Sequence, residues 1–272
     1  QNYNSKLKSI YIVPVITGFV GRTVKGQTTT LGRGGSDTTA CLAGAALKAE
    51  KVILWKNVAG VLSADPKIVK PVKIVKFLDY EEAEESGKVI HDKAMRLVRR
   101  AAVKVEVAYI QNSRQKTVIT QQGSKASGVK IISSKDNLRL LIMTGDKVKH
   151  AGALLEIANI ISGQAVNMVL IRNTRDNLYV VVDKNHHNIN NIEGEIKKSG
   201  YQLEVQDAAM INVIGKLDWD TVERFNHLLH IHYPQAYLGA FPYRNCVRLE
   251  AVVPPRQVVQ LVMTLHKEFI KC

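Results

Sequence analysis

The feature that most constrains this chain is a glycine-rich turn that ends an extended segment and leads into a helix. Residues 28–37 read TTTLGRGGSD, and good helix formers follow Ser36, so a helix is predicted to begin with Ser36 as its N-cap. Gly32, Gly34 and Gly35 lack Cβ atoms. The turn can therefore adopt positive φ and direct backbone N–H groups toward one point, where the helix dipole also favours an anion. This pattern predicts binding of a phosphate or a carboxylate.

Two side chains of the turn add to this chemistry. Arg33 carries a planar guanidinium that donates bidentate hydrogen bonds to a carboxylate or a phosphate. Asp37 falls in the first turn of the predicted helix and could orient a cationic group or a metal-bound nucleotide. The alternative is a structural connection in which Asp37 only complements the helix dipole. The residue pattern alone leaves both interpretations open.

Composition places the chain among globular proteins. It has 272 residues, of which 46% are hydrophobic and 23% charged, enough for about two domains. No apolar run approaches the roughly 20 residues of a membrane span, so no membrane partner is predicted. Three scattered cysteines favour a reducing compartment. We therefore expect a cytoplasmic protein, or a protein of the plastid stroma if the source is a plant.

The basic character of the chain has to be weighed against nucleic-acid binding. The formal net charge is +14, and lysines recur at every third position from 67 to 76. Pro66 and Pro71 interrupt this run, aromatic residues are sparse, and no nucleic-acid motif accompanies it. A solvated basic face is the favoured interpretation, and nucleic acid is not a predicted partner.

The string TTTLGRGGSD closely resembles the TTLGRGGSD signature of the aspartate kinases, members of the amino acid kinase superfamily. The resemblance implies ATP-dependent phosphorylation of the β-carboxylate of L-aspartate to 4-phospho-L-aspartate, the opening step toward lysine, threonine and methionine. Residues 13–21 resemble the stretch that closes on the amino acid substrate in that family. The resemblance implies a catalytic role for Asp37, and the residues implied in substrate binding are Thr17, Arg33, Gly34, Gly35 and Ser36.

Two further segments resemble nucleotide-binding parts of aspartate kinases. Residues 55–67, WKNVAGVLSADPK, follow a predicted buried strand at 51–55 and resemble the nucleotide loop. Residues 78–91 resemble a helix and loop whose lysine, here Lys88, reaches the ATP phosphates and neutralises transferring charge. The implied cofactors are ATP and Mg²⁺, with Mg²⁺ bridging phosphates and no protein metal site. The implied nucleotide-binding residues are Lys56, Asn57, Leu62, Lys67 and Lys88.

The predicted fold class is α/β. Residues 1–125 are expected to form part of an amino acid kinase-like sandwich, with strands at 9–19 and 103–110, a helix at 91–101 and a polar, turn-like segment at 111–127. An internal repeat of about 70 residues follows, with the order β-α-β-β-α-β. It resembles paired ferredoxin-like ACT domains, at 126–206 and 207–272. In the repeat, separate strands are predicted at 138–144, 201–205, 208–214, 236–241 and 246–253, and 130–133 is expected to add a strand to the second unit.

The ACT resemblance implies regulation and assembly. Residues 145–152 match the effector loop and residues 167–170 the facing strand, so a lysine or threonine effector is implied at Lys147, Val148, Asn167 and Met168. Pairing of ACT domains implies a homodimer or a higher oligomer.

One family segment has no counterpart in this sequence. Aspartate kinases begin with a Lys-Phe-Gly-Gly strand and turn, and this chain is expected to start partway through the kinase domain, as a fragment or a shortened form. The alternative function is therefore a catalytically inactive regulatory subunit that binds an amino acid effector. Kinases of glutamate, acetylglutamate or UMP are less favoured, because GRGGSD precedes two ACT-like units.

Overall fold

The computed structural model of the chain describes residues 13–87, 90–124, 127–185, 187–233 and 247–270. The N-terminal part contains, in chain order, β1 (Val20–Arg22), β2 (Thr28–Thr30), α1 (Gly35–Ala46), β3 (Lys51–Lys56), β4 (Phe77–Leu78), α2 (Tyr80–Ser86), α3 (Asp92–Ala101), β5 (Lys104–Tyr109) and β6 (Asn112–Ile119). The C-terminal part contains β7 (Gly128–Thr144), α4 (Ala153–Gly163), β8 (Met168–Asn173), β9 (Asn177–Asp183), α5 (Ile189–Lys198), β10 (Gln202–Lys216), α6 (Trp219–His232), β11 (Arg248–Val253) and α7 (Val258–Phe269). None of the described helices is both long enough and apolar enough to cross a lipid bilayer.

Four strands of the N-terminal part form one sheet, in the order β3-β5-β6-β4. The predicted strand at 51–55 is confirmed as β3, which runs parallel to β5. Alternate residues of β3, Val52 and Leu54, are buried in a core with α1 and α3, because successive side chains of a strand point to opposite faces. This packing holds the start of α1 near the C-terminal end of β3.

Two predictions for the N-terminal part are wrong. Of the strand predicted at 9–19, residues 9–12 lie outside the described residues. Residues 13–18 form no strand, and Val13 and Val15 are 86% and 95% exposed, because no neighbouring strand pairs with them within the described residues. Segment 111–127 is not uniformly turn-like, since it contains β6, which forms an antiparallel hairpin with β5. The polar residues of β6 lie mostly on exposed positions, and only Thr117 and Ile119 are buried.

The C-terminal part is built on a five-stranded sheet in the order β11-β10-β7-β9-β8, in which every pairing is antiparallel. The order β-α-β-β-α-β predicted for its first repeat is confirmed by β7, α4, β8, β9, α5 and β10. The strands predicted at 201–205 and 208–214 are one strand, β10, with a register shift between Ala208 and Met210. The strand predicted at 236–241 lies outside the described residues.

Strand β7 belongs to both halves of this sheet. Its C-terminal half, 138–144, pairs with 202–208 of β10 and with β9. Its N-terminal half pairs with 210–216 of β10, beside β11, so the strand expected at 130–133 does join the second repeat. The two repeats therefore share two long strands and cannot separate without breaking backbone hydrogen bonds.

The N-terminal and C-terminal parts interlock through their cores. Ile131 of β7 and Ile214 of β10 lie in the core of the N-terminal part. In the opposite direction, Ala64 and Val69 lie in the core formed by α6, α7 and the second half of the sheet. The loop after β3 is thus packed directly against the C-terminal repeat.

Candidate active site

The glycine-rich turn adopts the positive φ angles that its sequence requires. Gly32 has φ 74° and Gly34 has φ 72°, both in the left-handed region. The N-cap of α1 is Gly34 and not Ser36, because the Gly34 carbonyl already accepts the first helical hydrogen bond from the Thr38 N–H at 2.9 Å. The helix therefore begins two residues earlier than predicted, and Ser36 and Asp37 both lie in its first turn.

The turn leaves only some of its amides available to a ligand. The Gly35 N–H donates to the Gly32 carbonyl at 3.0 Å, and Gly35 is buried. The expectation that the Gly35 amide faces an anion is therefore wrong, since that amide closes the turn itself. The next amides, of Ser36 and Asp37, belong to the first helical turn, where N–H groups have no intrahelical acceptor. Arg33 is exposed beside them and has no ion-pair partner among the described side chains.

An ion pair joins the turn to the segment after β3. The Lys56 Nζ donates to both carboxylate oxygens of Asp37, at 2.8 and 2.7 Å. Both side chains are partly buried, which reduces the screening of their charges by solvent. Residues predicted separately for the phosphate site and for the nucleotide site are therefore in direct contact.

The segment that contains Thr17 lies against the start of α1. A Cβ at Gly18 would lie 3.3 Å from the Cα of Ser36, and the Phe19 N–H donates to the Thr39 hydroxyl at 3.2 Å. The Phe19 carbonyl accepts from the Leu31 N–H at 2.8 Å. Thr17 itself is exposed at the edge of this arrangement. Thr17 therefore directly precedes Gly18 and Phe19, the two residues that contact the turn and the start of α1.

His91 was not among the predicted site residues, although it lies against the turn. A Cβ at Gly34 would lie only 2.6 Å from the His91 Cβ, so a side chain at position 34 would collide with it. His91 is also the N-cap of α3, where its Nδ1 accepts a long hydrogen bond from the Lys93 N–H at 3.4 Å. Its place as the last residue of the segment 78–91, which resembles the lysine-bearing helix and loop, is the sequence signal that could have identified it.

A cavity of about 330 Å³ opens beside the ion pair. One wall is formed by the segment 56–66, including Lys56, Leu62 and Pro66, and the other by Ser86 and residues 131–133. Its lining is mainly apolar with a few polar groups, as is usual for a small-molecule site.

The other predicted nucleotide residues lie outside the cavity wall or outside the described residues. Asn57 is exposed directly after β3, and Lys67 is exposed in a turn where its N–H donates to the Asp65 carboxylate at 2.9 Å. Lys88 is outside the described residues. Ser86, two residues before Lys88 in the chain, lines the cavity.

The four predicted effector residues do not converge within one chain. Val148 is buried in the core beneath α4 and α5, and the Lys147 ammonium donates to the Glu156 carboxylate and to the Ser199 carbonyl. Asn167 and Met168 instead line a separate cavity of about 740 Å³, between the end of α2 and the sheet. Met168 and Arg139 both pair with Val182 of β9, so Met168 lies level with Arg139 in the sheet. Arg139 is five residues before Thr144, where β7 ends and the loop with Lys147 begins, which is about 17 Å along the strand.

Metal-ligating side chains do not cluster among the described residues, where no group of three or more His, Cys, Asp or Glu could hold an ion. This arrangement fits Mg²⁺ only as an ion held largely by phosphates and water, as is common for that metal. Asp37, the carboxylate nearest the turn, is engaged by Lys56.

The first part of the chain matches a known family. Residues 2–109 match the amino acid kinase family. Aspartokinase 1, chloroplastic, of Arabidopsis thaliana is 26% identical over 280 residues, covering 95% of this chain and 48% of that protein. An aspartokinase of Rickettsia felis is 30% identical over 221 residues, covering 77% of this chain and 55% of that protein. The chain thus spans about half the length of these relatives.

Solved structures share the fold. Escherichia coli aspartokinase III in complex with aspartate and ADP superposes with a TM-score of 0.79 at 24% identity, covering 93% of this chain and 60% of that chain. Clostridium acetobutylicum aspartate kinase gives a TM-score of 0.79 at 21% identity, covering 93% and 61%. At these identities the likeness concerns the fold, which extends through both the N-terminal and the C-terminal parts.

Proposed function

This chain belongs to the aspartokinase family, and from that premise we propose that it binds ATP and L-aspartate and transfers the γ-phosphoryl group to the β-carboxylate of aspartate. The product is 4-phospho-L-aspartate, the starting point for lysine, threonine and methionine. The contact between Asp37 and Lys56 carries this proposal, because it joins the anion-binding turn to the wall of the cavity.

Phosphoryl transfer depends on positioning and on neutralising charge, so no covalent nucleophile is required. In the proposed site, Arg33 binds a carboxylate of aspartate in a bidentate manner, and the amides of Ser36 and Asp37 bind phosphoryl oxygens at the N-terminus of α1. Gly34 and Gly35 shape this turn, and Thr17 contacts the amino acid from the other side.

The nucleotide occupies the cavity in this proposal. Leu62 packs against the base, while Asn57 and Lys67 approach it from the exposed rim. Asp37 holds the Lys56 ammonium at the mouth of the cavity, where the positive charge of Lys56 attracts the phosphates. Lys88 neutralises the charge that develops during transfer. Mg²⁺ bound with ATP would reduce the repulsion between the phosphates.

The remaining assignments follow from the same family. We propose a kinase part at 1–125 and two ACT units at 126–206 and 207–272, which share the long strands β7 and β10. Dimerisation through these units would bring the Lys147–Val148 loop of one copy toward Asn167 and Met168 of another, forming a lysine or threonine site. A cytoplasmic or plastid-stromal location accords with this metabolism.

Trapping of the acyl phosphate with hydroxylamine tests the activity. We expect the purified chain to form aspartyl hydroxamate with ATP, Mg²⁺ and aspartate, and Arg33→Lys to lower kcat/KM for aspartate at least about tenfold, because lysine keeps the charge but loses the planar fork. Arg175→Lys is the matched control, since Arg175 is exposed in the hairpin between β8 and β9. Absence of hydroxamate with the unsubstituted chain would contradict the proposed catalysis.

A second function is a regulatory subunit without catalysis. It is supported by the five-stranded sheet β11-β10-β7-β9-β8, whose described strands pack against α4 to α7 in buried cores. Calorimetric titration with lysine and with threonine tests it. Effector binding without hydroxamate formation would support this function over the kinase.

A further inference from the structure

A buried hydrogen bond connects the loop after β3 to the last helix of the chain. The Ser63 Oγ lies 3.0 Å from the Nε2 of His266, although 203 positions separate the two residues. Ser63 is 1% exposed and His266 is 3% exposed. A buried polar pair of this kind is worth more than a surface contact, because neither group can find water if the other moves.

One hydrogen-bond partner of the Ser63 hydroxyl is a backbone group. The Ser63 Oγ accepts from the Lys73 N–H at 3.0 Å, and its own hydroxyl hydrogen remains for an acceptor. In the neutral imidazole tautomer that carries its proton on Nδ1, His266 Nε2 is this acceptor. Burial, assisted by the nearby Lys73 ammonium, lowers the pKa of His266 below its ordinary value, which agrees with the neutral form.

Ser63 also organises the backbone around it. Its N–H donates to the Lys73 carbonyl at 2.8 Å, and its carbonyl accepts from the Ile132 N–H of β7 at 2.8 Å. The Val75 N–H donates to the Val61 carbonyl at 2.8 Å. Residues 61–75, which we name the anchor segment, thus form two paired arms with Ser63 at their junction with β7.

The anchor segment is packed into the C-terminal repeat. Ala64 and Val69 lie in one buried core with Leu261 and Leu265 of α7, and Ile68 and Val72 pack against the same core. His266 follows Leu265 on α7. Its hydrogen bond to Ser63 therefore fixes the relative position of two segments that otherwise meet through apolar contacts only.

The same segment forms part of the cavity wall. Val61, Leu62, Ala64, Asp65 and Pro66 line the cavity, and Ser63 lies in the middle of this series. A shift of α7 that breaks the Ser63–His266 bond would therefore change the wall of the cavity directly, without passing through the glycine turn or the ion pair of Asp37.

We propose that His266 is a positioning residue for the nucleotide site, holding the anchor segment through Ser63 so that the position of α7 sets nucleotide affinity. This inference rests on the proposed function in one respect, which is that the ligand of the cavity is a nucleotide. Through this contact the position of the C-terminal helix is coupled to nucleotide binding.

Two measurements on the full chain test the inference. Hydrogen exchange of peptides covering 61–75, without nucleotide, reports how firmly the anchor segment is held. Calorimetric titration with Mg·ADP measures the affinity of the cavity for the nucleotide. We expect His266→Leu and Ser63→Ala each to accelerate exchange in 61–75 and to weaken ADP binding about three- to tenfold. The double variant should bind ADP no more weakly than the worse single variant, because each single change already removes the Ser63–His266 hydrogen bond.

Two further variants separate positioning from loss of stability. Ile192→Val removes one methylene from the core beneath α4 and α5, away from the anchor segment, and should leave exchange in 61–75 and ADP affinity unchanged. His266→Gln restores an acceptor and should recover part of the affinity. Ser63→Ala is the milder change and keeps the test usable if His266→Leu unfolds the chain.

Unchanged exchange in 61–75 for both single variants would overturn the positioning role. Additive losses, or an equal loss with Ile192→Val, would overturn it as well, since they indicate general destabilisation. A chain that binds no ADP while its exchange responds as expected would contradict the proposed nucleotide site and leave the positioning of the anchor segment supported.

Discussion

At the scale of single residues, two glycines of the turn have similar backbone angles but different surroundings. A Cβ at Gly32 would meet nothing within 4 Å, whereas one at Gly34 would lie 2.6 Å from the His91 Cβ. Both glycines have φ above 70°. Position 32 therefore requires glycine for its conformation alone, and position 34 requires it for conformation and space.

Alanine at each position separates these two requirements. We expect Gly32→Ala to lower the free energy of unfolding by about 1 kcal/mol, from left-handed backbone strain. Gly34→Ala should cost roughly 1–3 kcal/mol more, because His91 and α3 must shift. Urea unfolding of both variants measures the difference. Equal costs would show that His91 yields without resistance and would contradict the described contact.

Cys41 is a buried thiol of α1 close enough to Asp37 and Lys56 to feel their charges. Burial, with the Asp37 carboxylate as a second cause, raises the pKa of Cys41 to about 12. At pH 8 only about one molecule in ten thousand then carries the thiolate, which is the nucleophilic form. Cys41 is fully buried as a core residue of α1, and we expect its thiol to be unreactive in the folded chain.

This predicts resistance to alkylation. We expect iodoacetamide at pH 8 to leave Cys41 unmodified in the folded chain and to label it rapidly in denaturing urea, as measured by peptide mass spectrometry. Mapping by peptide is needed because the chain has three cysteines. Rapid labelling of Cys41 under native conditions would show that α1 opens or that the thiol is accessible.

At the scale of elements, Thr117 of β6 fastens the loop after β3 to the N-terminal sheet. Its hydroxyl accepts from the Val61 N–H at 2.8 Å and donates to the Val75 carbonyl at 2.7 Å. Thr117 is fully buried, and a Cβ at Gly60 would lie 2.6 Å from its Oγ1. One hydroxyl therefore ties both arms of the anchor segment to β6.

Replacing this hydroxyl with a methyl group tests the tie. We expect Thr117→Val to lower the free energy of unfolding by roughly 2–4 kcal/mol, because two backbone groups lose their partner away from water. Thr174→Val is the matched control, with an expected loss of about 0.5 kcal/mol, since the Thr174 hydroxyl bonds to Asn177 in an exposed hairpin. Comparable losses for the two variants would contradict the proposed tie.

At the scale of the whole molecule, charged pairs reinforce the interlocked cores. The Lys130 ammonium of β7 donates to the Glu82 carboxylate of α2 at 2.7 Å, and Glu82 also accepts from the Asp79 N–H in a capping box. Glu82 is fully buried, so its charge has little access to water. This pair crosses from the C-terminal sheet into the N-terminal part.

Removal of the buried partner should be costly. We expect Lys130→Met to lower the free energy of unfolding by about 3–5 kcal/mol, because the Glu82 carboxylate is left buried without its cation. Lys184→Met, which removes the exposed partner of Asp207, should cost no more than about 1 kcal/mol. Chemical denaturation compares them, and a small loss with Lys130→Met would indicate that water reaches Glu82.

The interlocking also predicts that both parts unfold together. The chain has two tryptophans, Trp55 on β3 and Trp219 on α6, one in each part. Variants with Trp55→Phe or Trp219→Phe leave a single reporter, and we expect the two fluorescence transitions in urea to coincide with each other and with circular dichroism. Separate midpoints would mean that the parts fold independently.

Much of the local architecture could be predicted from the sequence. The turn at 32–35, the strand at 51–56 and the helix and strand order of the first repeat all follow from glycine placement and from periodicity. The prediction failed for 13–18, an apolar run with no strand partner in the described part, and for β6, a polar segment that becomes a strand through its hairpin with β5. In both cases the presence or absence of a partner strand, and not the local pattern of apolar residues, decided whether a strand formed.

The order of residues by itself determined where the backbone turns and where α1 starts to within two positions, because positive φ and helix initiation depend on neighbours within a few residues. Only the tertiary structure decided that Lys56 contacts Asp37, that His91 lies against Gly34 and that Ser63 meets His266. Such partners are selected by burial and packing, which act between segments that are distant in the chain and leave no periodic signal in it.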